Sequence, residues 1–247
     1  MFLTYDNVEK HCDSVFTPFR QSTYSPDAET IMVIDEHSIF RRVLPILMNH
    51  PKKFTLVYYA TDSDFTPHYF ECVKSKVNHI YAQGCRINDP LITKIPTGFS
   101  STFNPVRESF KKQILCYLPK LGLYDDNNLH HLPGRLLRQE CIHHFKSKSF
   151  VTVEDIKLDP DEYTRKVQKS KFVICPMGVG IDSYKVYETA YLGCIPVVVK
   201  NGMEDVYEKF GALILNNWDE LTVERMKNHK ELVVPDELFT MEYWLKL

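Results

Sequence analysis

The chain has 247 residues, of which 44% are hydrophobic, 13% aromatic and 25% charged, and its formal net charge is −2. These values are typical of a folded protein and exclude a disordered chain, and the near-neutral charge argues against a surface that binds nucleic acid or an anionic membrane. A chain of this length accommodates two compact domains or one larger domain.

The cysteines and the N-terminal sequence bear on the compartment. Seven cysteines are present, an odd number, and none is spaced for a zinc-binding pair. This pattern predicts free thiols in a reducing compartment. Residues 1–6 lack the basic start and apolar core of a signal peptide, and no segment approaches the roughly 18 uncharged residues that cross a bilayer. We therefore expect a cytoplasmic protein without a membrane span.

The first half of the chain alternates apolar runs with helical patterns. Little periodicity is present in the first thirty residues, which we expect to be mostly loop. Short apolar runs predict four strands and a helical spacing predicts one helix between the first two strands. The predicted strands cover residues 31–34, 54–60, 79–82 and 92–96, and the helix covers residues 40–47. This alternation predicts a parallel sheet covered by helices.

A run of turn formers at residues 97–112 predicts a linker, after which a second α/β series begins. Strands are predicted at residues 113–118, 150–153, 172–176 and 195–199, and helices at 136–145, 159–169 and 183–192. Acidic residues and Pro160 open the second of these helices, and Gly193 closes the third. The series predicts two Rossmann-like domains that face each other across a cleft.

The predicted domain boundaries follow from the linker. The N-terminal domain covers residues 1–105 and the C-terminal domain residues 106–232. The last segment, 233–247, contains a helical pattern with one apolar side, and we expect it to pack back across the domains.

Residues 170–199 contain the pattern most informative about chemistry. A buried strand runs into a loop with Gly178 and Gly180, and a helix follows. Ligands in open α/β sheets bind at the carboxyl ends of strands, where glycines allow close approach and helix N-termini attract phosphate. Lys185 could add a positive charge there, and Glu188 could accept hydrogen bonds from ribose hydroxyls.

Simpler interpretations of the same residues remain open. A Gly-x-Gly loop alone is common in tight turns, Lys185 alone is typical of a solvated helix, and Glu188 could pair with it. The dinucleotide-binding fingerprint is not met, because Ser183 stands where its third glycine belongs. The phosphate-binding Gly-Lys-Ser/Thr loop is also absent from the sequence. The interpretation therefore depends on the residues as a set.

As a set, these residues resemble a known family. The run Ser-Lys-Phe-Val-Ile-Cys-Pro-x-Gly-x-Gly-Ile-Asp at 170–182 and the run Tyr-Glu-Thr-Ala-x-Leu-Gly-Cys-Ile-Pro-Val-Val at 187–198 resemble the donor-site signature of exostosin-like glycosyltransferases. The chain resembles the small members of this family that large DNA viruses of algae encode. For a viral protein of this kind, the expected compartment is the host cytoplasm. A weaker resemblance covers residues 31–218, including short pieces at 60–64, 79–84 and 94–98.

The resemblance implies a GT-B fold and a nucleotide-diphosphate sugar donor, most often UDP-linked, with xylose as the sugar. It further implies inversion at the anomeric carbon, a sugar or glycan hydroxyl as acceptor, and no required metal or cofactor. The implied donor-binding residues are Gly178, Gly180, Ile181, Asp182, Ser183, Lys185 and Glu188. The family usually has arginine in place of Lys185, so Arg135 and Arg138 are candidates to share the diphosphate.

An inverting transfer needs a general base for the attacking hydroxyl. Asp64 is our first candidate, because it follows the strand at 54–60 and matches the position where the family carries an acid. Asp35, Glu36 and His37 follow the preceding strand and are the reserve candidates. For each of these residues a loop-capping role is an equally ordinary explanation.

Two alternative functions stay open. Asp62-Ser63-Asp64 also spells the Asp-x-Asp motif with which GT-A glycosyltransferases bind manganese. Against this alternative, only about sixty residues precede the motif, and the signature at 170–199 would be unexplained. The second alternative is a non-enzymatic scaffold that binds nucleotide sugars, to which Lys185 and the small size of the chain both point.

Overall fold

The computed structural model of the chain describes residues 1–18, 21–34, 39–59, 63–100, 103, 106–122 and 132–246. The first hundred residues contain short helices and strands in alternation. These elements are α1 (Tyr5–Glu9), β1 (Ser14–Phe16), β2 (Thr30–Val33), α2 (Ile39–Met48), β3 (Phe54–Tyr58), α3 (Pro67–Val73), β4 (Val77–Gln83) and β5 (Ile92–Ile95).

The alternation of strands and helices continues in the rest of the chain. Its elements are β6 (Ile114–Leu118), α4 (Leu132–Phe145), β7 (Val151–Val153), α5 (Pro160–Gln168), β8 (Ser170–Ile174), α6 (Tyr184–Tyr191), β9 (Ile195–Val199), α7 (Glu204–Lys209), β10 (Leu213–Leu215), α8 (Val223–Lys227) and α9 (Met241–Trp244). Two short 3-10 helices, Trp218–Glu220 and Asp236–Phe239, precede α8 and α9. No helix in the described part of the chain is long and apolar enough to cross a membrane.

The chain divides into two compact units. Unit 1 consists of Met1–Ser101, Gly180–Asp182 and Thr240–Leu247, and unit 2 consists of Thr102–Val179 and Ser183–Phe239. Two short segments that are distant in sequence from the first hundred residues therefore belong to unit 1 by their contacts.

Unit 1 is built on a five-stranded parallel sheet. Its strand order, β1-β2-β3-β4-β5, follows the sequence. The apolar side chains of α2 that recur at helical spacing, Phe40, Val43 and Leu47, pack with Leu56 and Ile80 of the sheet in one core. Among the described strands of this unit the order does not reverse.

Unit 2 contains a second five-stranded parallel sheet, in the order β10-β9-β8-β6-β7. The chain moves from β6 to β7 on one side and then returns to β8 on the other, so the strand order reverses between β6 and β8. Such a reversal is the topological switch point at which open α/β sheets bind ligands. Phe145 of α4, Phe172 of β8 and Met226 of α8 belong to one hydrophobic core.

Local sequence signals explain several helix boundaries. Thr66 caps α3 by accepting a hydrogen bond from the N–H of Tyr69, and Asp159 caps α5 by accepting one from the N–H of Glu162. A proline follows each cap at the first helical position, where its missing N–H costs nothing. The predicted opening of α5 by Pro160 is confirmed.

The prediction of parallel α/β structure in both halves is confirmed, with differences in detail. The first thirty residues contain α1 and β1 instead of loop alone, and β10 was not predicted. Helix α4 begins at Leu132, four residues before its predicted start, so Gly134, which the prediction left outside the helix, is helical. All seven cysteines carry free thiols, as predicted.

Candidate active site

The switch point of unit 2 brings two loops to the same edge of the sheet. Strands β6 and β8 are adjacent and parallel, so the residues after Leu118 and after Ile174 leave the sheet at its carboxyl edge. We call residues 175–183, which follow β8, the donor loop. It contains Gly178 and Gly180, the two glycines predicted to approach a diphosphate.

Helix α4 lies directly against the donor loop. A Cβ atom placed on Gly134 would be 2.2 Å from the carbonyl oxygen of Gly178 and 2.7 Å from its carbonyl carbon. No residue other than glycine fits this contact without a backbone shift. The first turn of α4 and the donor loop therefore approach each other as closely as two backbones allow.

Arg138 connects the loops after the two switch-point strands. Its side chain is 8% exposed, and its Nη1 donates a hydrogen bond to the carbonyl of Gly122 at 2.7 Å. Its Nε donates a longer hydrogen bond to the carbonyl of Met177 at 3.4 Å. Arg135, one turn earlier in α4, is partly buried. The guanidinium of Arg138 thus holds the backbone of both loops at the position where a diphosphate was predicted.

The N-terminus of α6 follows the donor loop. Ser183 is its N-cap residue, and the Ser183 side chain makes no capping hydrogen bond. Lys185 lies in the first turn, and Glu188, one turn later, is buried with 7% exposure. Burial lowers the pKa of Lys185, an effect that the Glu188 carboxylate opposes and the Arg138 guanidinium reinforces. Lys185 and Glu188 therefore interact electrostatically.

Tyr163 of α5 adds an aromatic ring and a hydroxyl beside these two residues. The Nζ of Lys185 lies 5.7 Å from the centre of the Tyr163 ring. The Tyr163 hydroxyl is buried and has no hydrogen-bond partner among the described residues. Burial, together with the charge of Glu188, raises the pKa of Tyr163 well above its ordinary value. Burial also raises the pKa of the neighbouring Cys175 thiol to about 12, so this thiol is not a nucleophile at neutral pH.

Ile181 and Asp182 of the donor loop belong to unit 1. The Asp182 carboxylate is buried and accepts hydrogen bonds at 2.8 Å from both the backbone N–H and the hydroxyl of Thr97. The N–H of Ile181 donates to Oδ1 of Asp64 at 3.2 Å. Asp182, which was predicted to bind the donor, thus accepts hydrogen bonds from protein groups. The same is true of Asp64, which was predicted as the general base.

The surroundings of Asp64 affect its basicity. Its Oδ2 lies 3.6 Å from a guanidinium nitrogen of Arg86. Burial raises the pKa of Asp64 above its ordinary value, and the Ile181 N–H and the Arg86 guanidinium oppose this shift, whereas the charge of Asp182 adds to it. A carboxylate with a raised pKa is a stronger base than a solvated one.

Four predicted residues lie outside the described part of the chain. They are the reserve bases Asp35, Glu36 and His37, and Asp62 of the Asp-x-Asp motif. Among the described residues, no group of three or more His, Cys, Asp or Glu side chains is arranged to hold a metal ion.

A pocket of about 720 Å³ lies at the opposite edge of the unit 2 sheet. Lys171 and Ile195, at the amino ends of β8 and β9, line it, so it is separate from the donor loop at the carboxyl edge. Lys171 pairs with Glu231 at 2.6 Å, and Lys112 donates hydrogen bonds to the carbonyls of Gln168 and Gly193, so both ammonium groups have protein partners.

A family model matches the part of the chain that includes β8, the donor loop and α6. Residues 124–229 match the family model of the RXYLT1 C-terminal domain. A stretch of 88 residues is 32% identical to the probable glycosyltransferase At3g07620 of Arabidopsis thaliana. The matched stretch covers 35% of this chain and 18% of the plant protein. Both matches agree with the predicted enzyme class. The chain spans less than a fifth of the length of this plant relative.

Two solved structures are similar at a low level. One is an alpha-glucosyltransferase in complex with UDP-glucose and DNA, with a TM-score of 0.33, 9% identity, and coverage of 73% of this chain and 63% of that chain. The other is the pneumococcal O-GlcNAc transferase GtfA in complex with UDP and GlcNAc, with a TM-score of 0.39, 12% identity, and coverage of 81% and 48%. Scores this low do not assign the fold.

Several residues around the site were not identified from the sequence. Arg86 and Tyr163 carry no local pattern that separates them from ordinary surface or packing residues. Thr97 lies in the short piece 94–98 of the weaker resemblance, which gave it no role. Gly134 carried no such signal either, because the predicted helix began at residue 136 and left this glycine outside it; its place inside α4 is known only from the structure.

Proposed function

We propose that this chain is a glycosyltransferase that holds a nucleotide-diphosphate sugar at the carboxyl edge of the unit 2 sheet. The strand reversal between β6 and β8, with a glycine-containing loop after β8, is the observation that carries the proposal. This arrangement is the general ligand-binding position of open α/β sheets. The family match at residues 124–229 includes the donor loop and α6.

Within this proposal the two glycines and the charged side chains near them have distinct chemical roles. The diphosphate lies at Gly178 and Gly180 near the N-terminus of α6, whose side-chain cap is missing. Lys185 neutralises the diphosphate, with Arg135 and Arg138 sharing the charge. Glu188 accepts hydrogen bonds from ribose hydroxyls. UDP is the expected nucleotide, and xylose is the first sugar to test.

For the chemical step, we propose that Asp64 is the general base. It takes the proton of the acceptor hydroxyl while the sugar–diphosphate bond breaks, and a single displacement inverts the anomeric carbon. The raised pKa of Asp64 supports this role. A sugar or glycan hydroxyl is the expected acceptor.

We further propose that the reaction is independent of metal. The Arg86 guanidinium, 3.6 Å from Asp64 Oδ2, already supplies a positive charge at this carboxylate. In the alternative mechanism, Asp62 and Asp64 bind manganese together. In the scaffold alternative, the chain binds the nucleotide sugar and does not transfer it.

A thermal-shift experiment with UDP, UDP-xylose and UDP-glucose, each with and without EDTA, tests the proposal. We expect UDP to raise the melting temperature, because only the native state binds the nucleotide. EDTA should not change this shift, because the proposed reaction is independent of metal. The Lys185→Ala variant should lose most of the stabilisation, whereas the control Lys227→Ala, an exposed lysine of α8, should keep it. Absence of stabilisation by all three compounds would contradict nucleotide-sugar binding.

The remaining outcomes separate the alternatives. Stabilisation that disappears with EDTA and returns with manganese favours the Asp62/Asp64 mechanism. Stabilisation without donor hydrolysis or transfer to any sugar acceptor favours the scaffold. If Asp64→Asn retains full turnover with donor still bound, then Asp64 is not the base.

A further inference from the structure

Helices α5 and α6 lie on the same face of the unit 2 sheet. The chain moves from β7 to β8 and from β8 to β9 in one direction across this sheet. Connections between parallel strands are right-handed, so two connections in one direction place their helices on one face. Helix α5 packs against β8, and α6 packs against the adjacent strand β9. The two helices are therefore neighbours within unit 2.

Contacts of Cys175 attach α6 to the end of β8. The Cys175 N–H donates a hydrogen bond to the carbonyl of Val197 in β9 at 2.9 Å. Its thiol lies 3.5 Å from the carbonyl oxygen of Lys185 and 3.6 Å from the hydroxyl of the buried Thr189. These contacts lie within unit 2. They fix the backbone that carries Lys185 and Glu188 without any contribution from unit 1.

Tyr163 of α5 brings a buried hydroxyl to these residues of α6. The centre of its ring lies 5.7 Å from Nζ of Lys185. Burial raises the pKa of the hydroxyl most, and Glu188 is the first of the neighbouring groups that raise it further. The hydroxyl has no hydrogen-bond partner in the part of the chain that the structure describes. A buried hydroxyl without a partner is unfavourable, because nothing replaces the water that it has lost.

A donor held in this way suits a second arrangement of the charges at the site. The Lys185 ammonium interacts with the Glu188 carboxylate. In the proposed function a diphosphate attracts this ammonium more strongly, because it carries more charge than one carboxylate. Glu188 is 7% exposed, so water compensates little for the interaction that its carboxylate then loses. A hydrogen bond from the Tyr163 hydroxyl would compensate for it.

We propose that Tyr163 is a positioning residue for the donor site, and that its hydroxyl donates a hydrogen bond to the Glu188 carboxylate when a nucleoside diphosphate binds Lys185. This inference rests on the proposed function. The two oxygens of Glu188 accommodate both the Tyr163 hydroxyl and the ribose hydroxyls. Because its pKa is raised, the Tyr163 hydroxyl stays protonated at neutral pH and remains a donor. Tyr163 thereby orients Glu188 toward the ribose.

The test is UDP binding by isothermal titration calorimetry to purified full-length variants. Tyr163→Phe removes the hydroxyl and keeps the ring beside Lys185. We expect it to weaken UDP binding by about tenfold, the lower end of what one hydrogen bond to a charged group contributes. The free energy of unfolding without ligand should not fall, because the described residues offer this hydroxyl no bond to lose. With a UDP-sugar, KM should rise while kcat is retained.

Tyr81→Phe is the matched control. The Tyr81 hydroxyl accepts a hydrogen bond from the Lys246 N–H at 3.1 Å, and both residues belong to unit 1. Removal of a hydroxyl that has a partner should lower the free energy of unfolding and leave UDP affinity unchanged. The two tyrosine variants should therefore show opposite patterns of stability and affinity.

Glu188→Gln tests the partner of the hydroxyl. This variant removes the carboxylate charge and nearly keeps the side-chain shape. Tyr163→Phe should weaken UDP binding by a smaller factor in the Glu188→Gln background than in the unchanged protein, because a hydrogen bond to a neutral amide is weaker. Equal factors in the two backgrounds would show that Tyr163 does not act through Glu188, and the inference would be wrong.

Two further results would overturn the inference, and they have different meanings. Unchanged UDP affinity in Tyr163→Phe shows that the hydroxyl does not position the site, while the proposed function stands. No binding of UDP or UDP-sugars by the unchanged protein shows that the proposed function itself is wrong, and the inference is then wrong with it.

Discussion

At the scale of single residues, Asp64 is surrounded by groups that change its acidity in opposite directions. Its Oδ1 accepts a hydrogen bond from the Ile181 N–H, and Arg86 lies 3.6 Å from its Oδ2. Burial raises the pKa of the carboxyl, and these two groups lower it without cancelling the effect of burial. The acidic limb of the activity profile should therefore lie above the ordinary range of an aspartate, if Asp64 is the base.

The Arg86→Gln variant tests this assignment. The guanidinium favours the charged carboxylate, so its removal raises the pKa of Asp64 further. Because the base must be deprotonated to accept a proton, the acidic limb of kcat/KM should move to higher pH. Transfer rates measured over a pH series check this result, and Arg86→Lys, which keeps the charge, should leave the limb nearly in place. An unmoved limb in Arg86→Gln would exclude Asp64 as the group that titrates.

At the scale of secondary-structure elements, the contact of α4 with the donor loop defines the candidate site. Gly134 allows the helix to lie on the Gly178 peptide, and Arg138 holds the loops after β6 and β8 by their carbonyls. The helix and the two loops thus form one packed arrangement at the switch point. Its geometry depends on a glycine inside a helix, where alanine would otherwise be preferred by about 1 kcal/mol.

We expect Gly134→Ala to destabilise the protein and weaken UDP binding. The added Cβ would lie 2.2 Å from a backbone oxygen, which cannot rotate away as a side chain can. Overpacking of this kind costs about 1–3 kcal/mol, which exceeds the gain in helix propensity. Urea unfolding and calorimetry with UDP measure the two effects.

Gly122→Ala is the matched control for this prediction. Its Cβ would lie 3.7 Å from Nη1 of Arg138, an ordinary contact distance, and the Gly122 carbonyl that Arg138 binds is retained. Stability should change by less than about 1 kcal/mol. If Gly134→Ala is as stable as Gly122→Ala, the close contact of α4 with the donor loop is not present in solution.

At the scale of the whole molecule, the C-terminal residues return to unit 1. Residue Thr240 forms a bridge with Phe2, and the Met241 N–H donates to the Met1 carbonyl at 2.9 Å. The Tyr81 hydroxyl lies 3.1 Å from the Lys246 N–H, from which it accepts a hydrogen bond. Unit 1 thus includes residues from both ends of this sequence.

Trp244→Ala should therefore destabilise unit 1. The Trp244 side chain is 5% exposed, and truncation of a buried tryptophan costs about 3–5 kcal/mol. Chemical unfolding followed by circular dichroism measures the loss. Glu242→Ala, in the same helix but on its exposed side, should leave the unfolding midpoint nearly unchanged. Equal midpoints for the two variants would mean that α9 does not pack on unit 1.

The sequence by itself determined the class of structure and most of its elements. Buried parallel strands appear in a sequence as short apolar runs, which can be recognised without the tertiary structure. Strands were predicted in this way at residues 31–34, 54–60 and 195–199. The three-residue strands β1 and β10 were not predicted, whereas β7, of the same length, was, because apolar runs this short separate weakly from loop residues. The glycines of the donor loop were likewise visible as a local pattern.

Only the tertiary structure decided which distant residues meet. Strand order, and hence the switch point, depends on how the chain crosses over the sheet. Thr97 and Asp182 are 85 residues apart, and Asp64 and Ile181 are 117 apart. Their contacts depend on the packing of whole segments, which no local pattern encodes. The sequence thus indicated the donor loop, and the fold decided that its Asp182 binds Thr97.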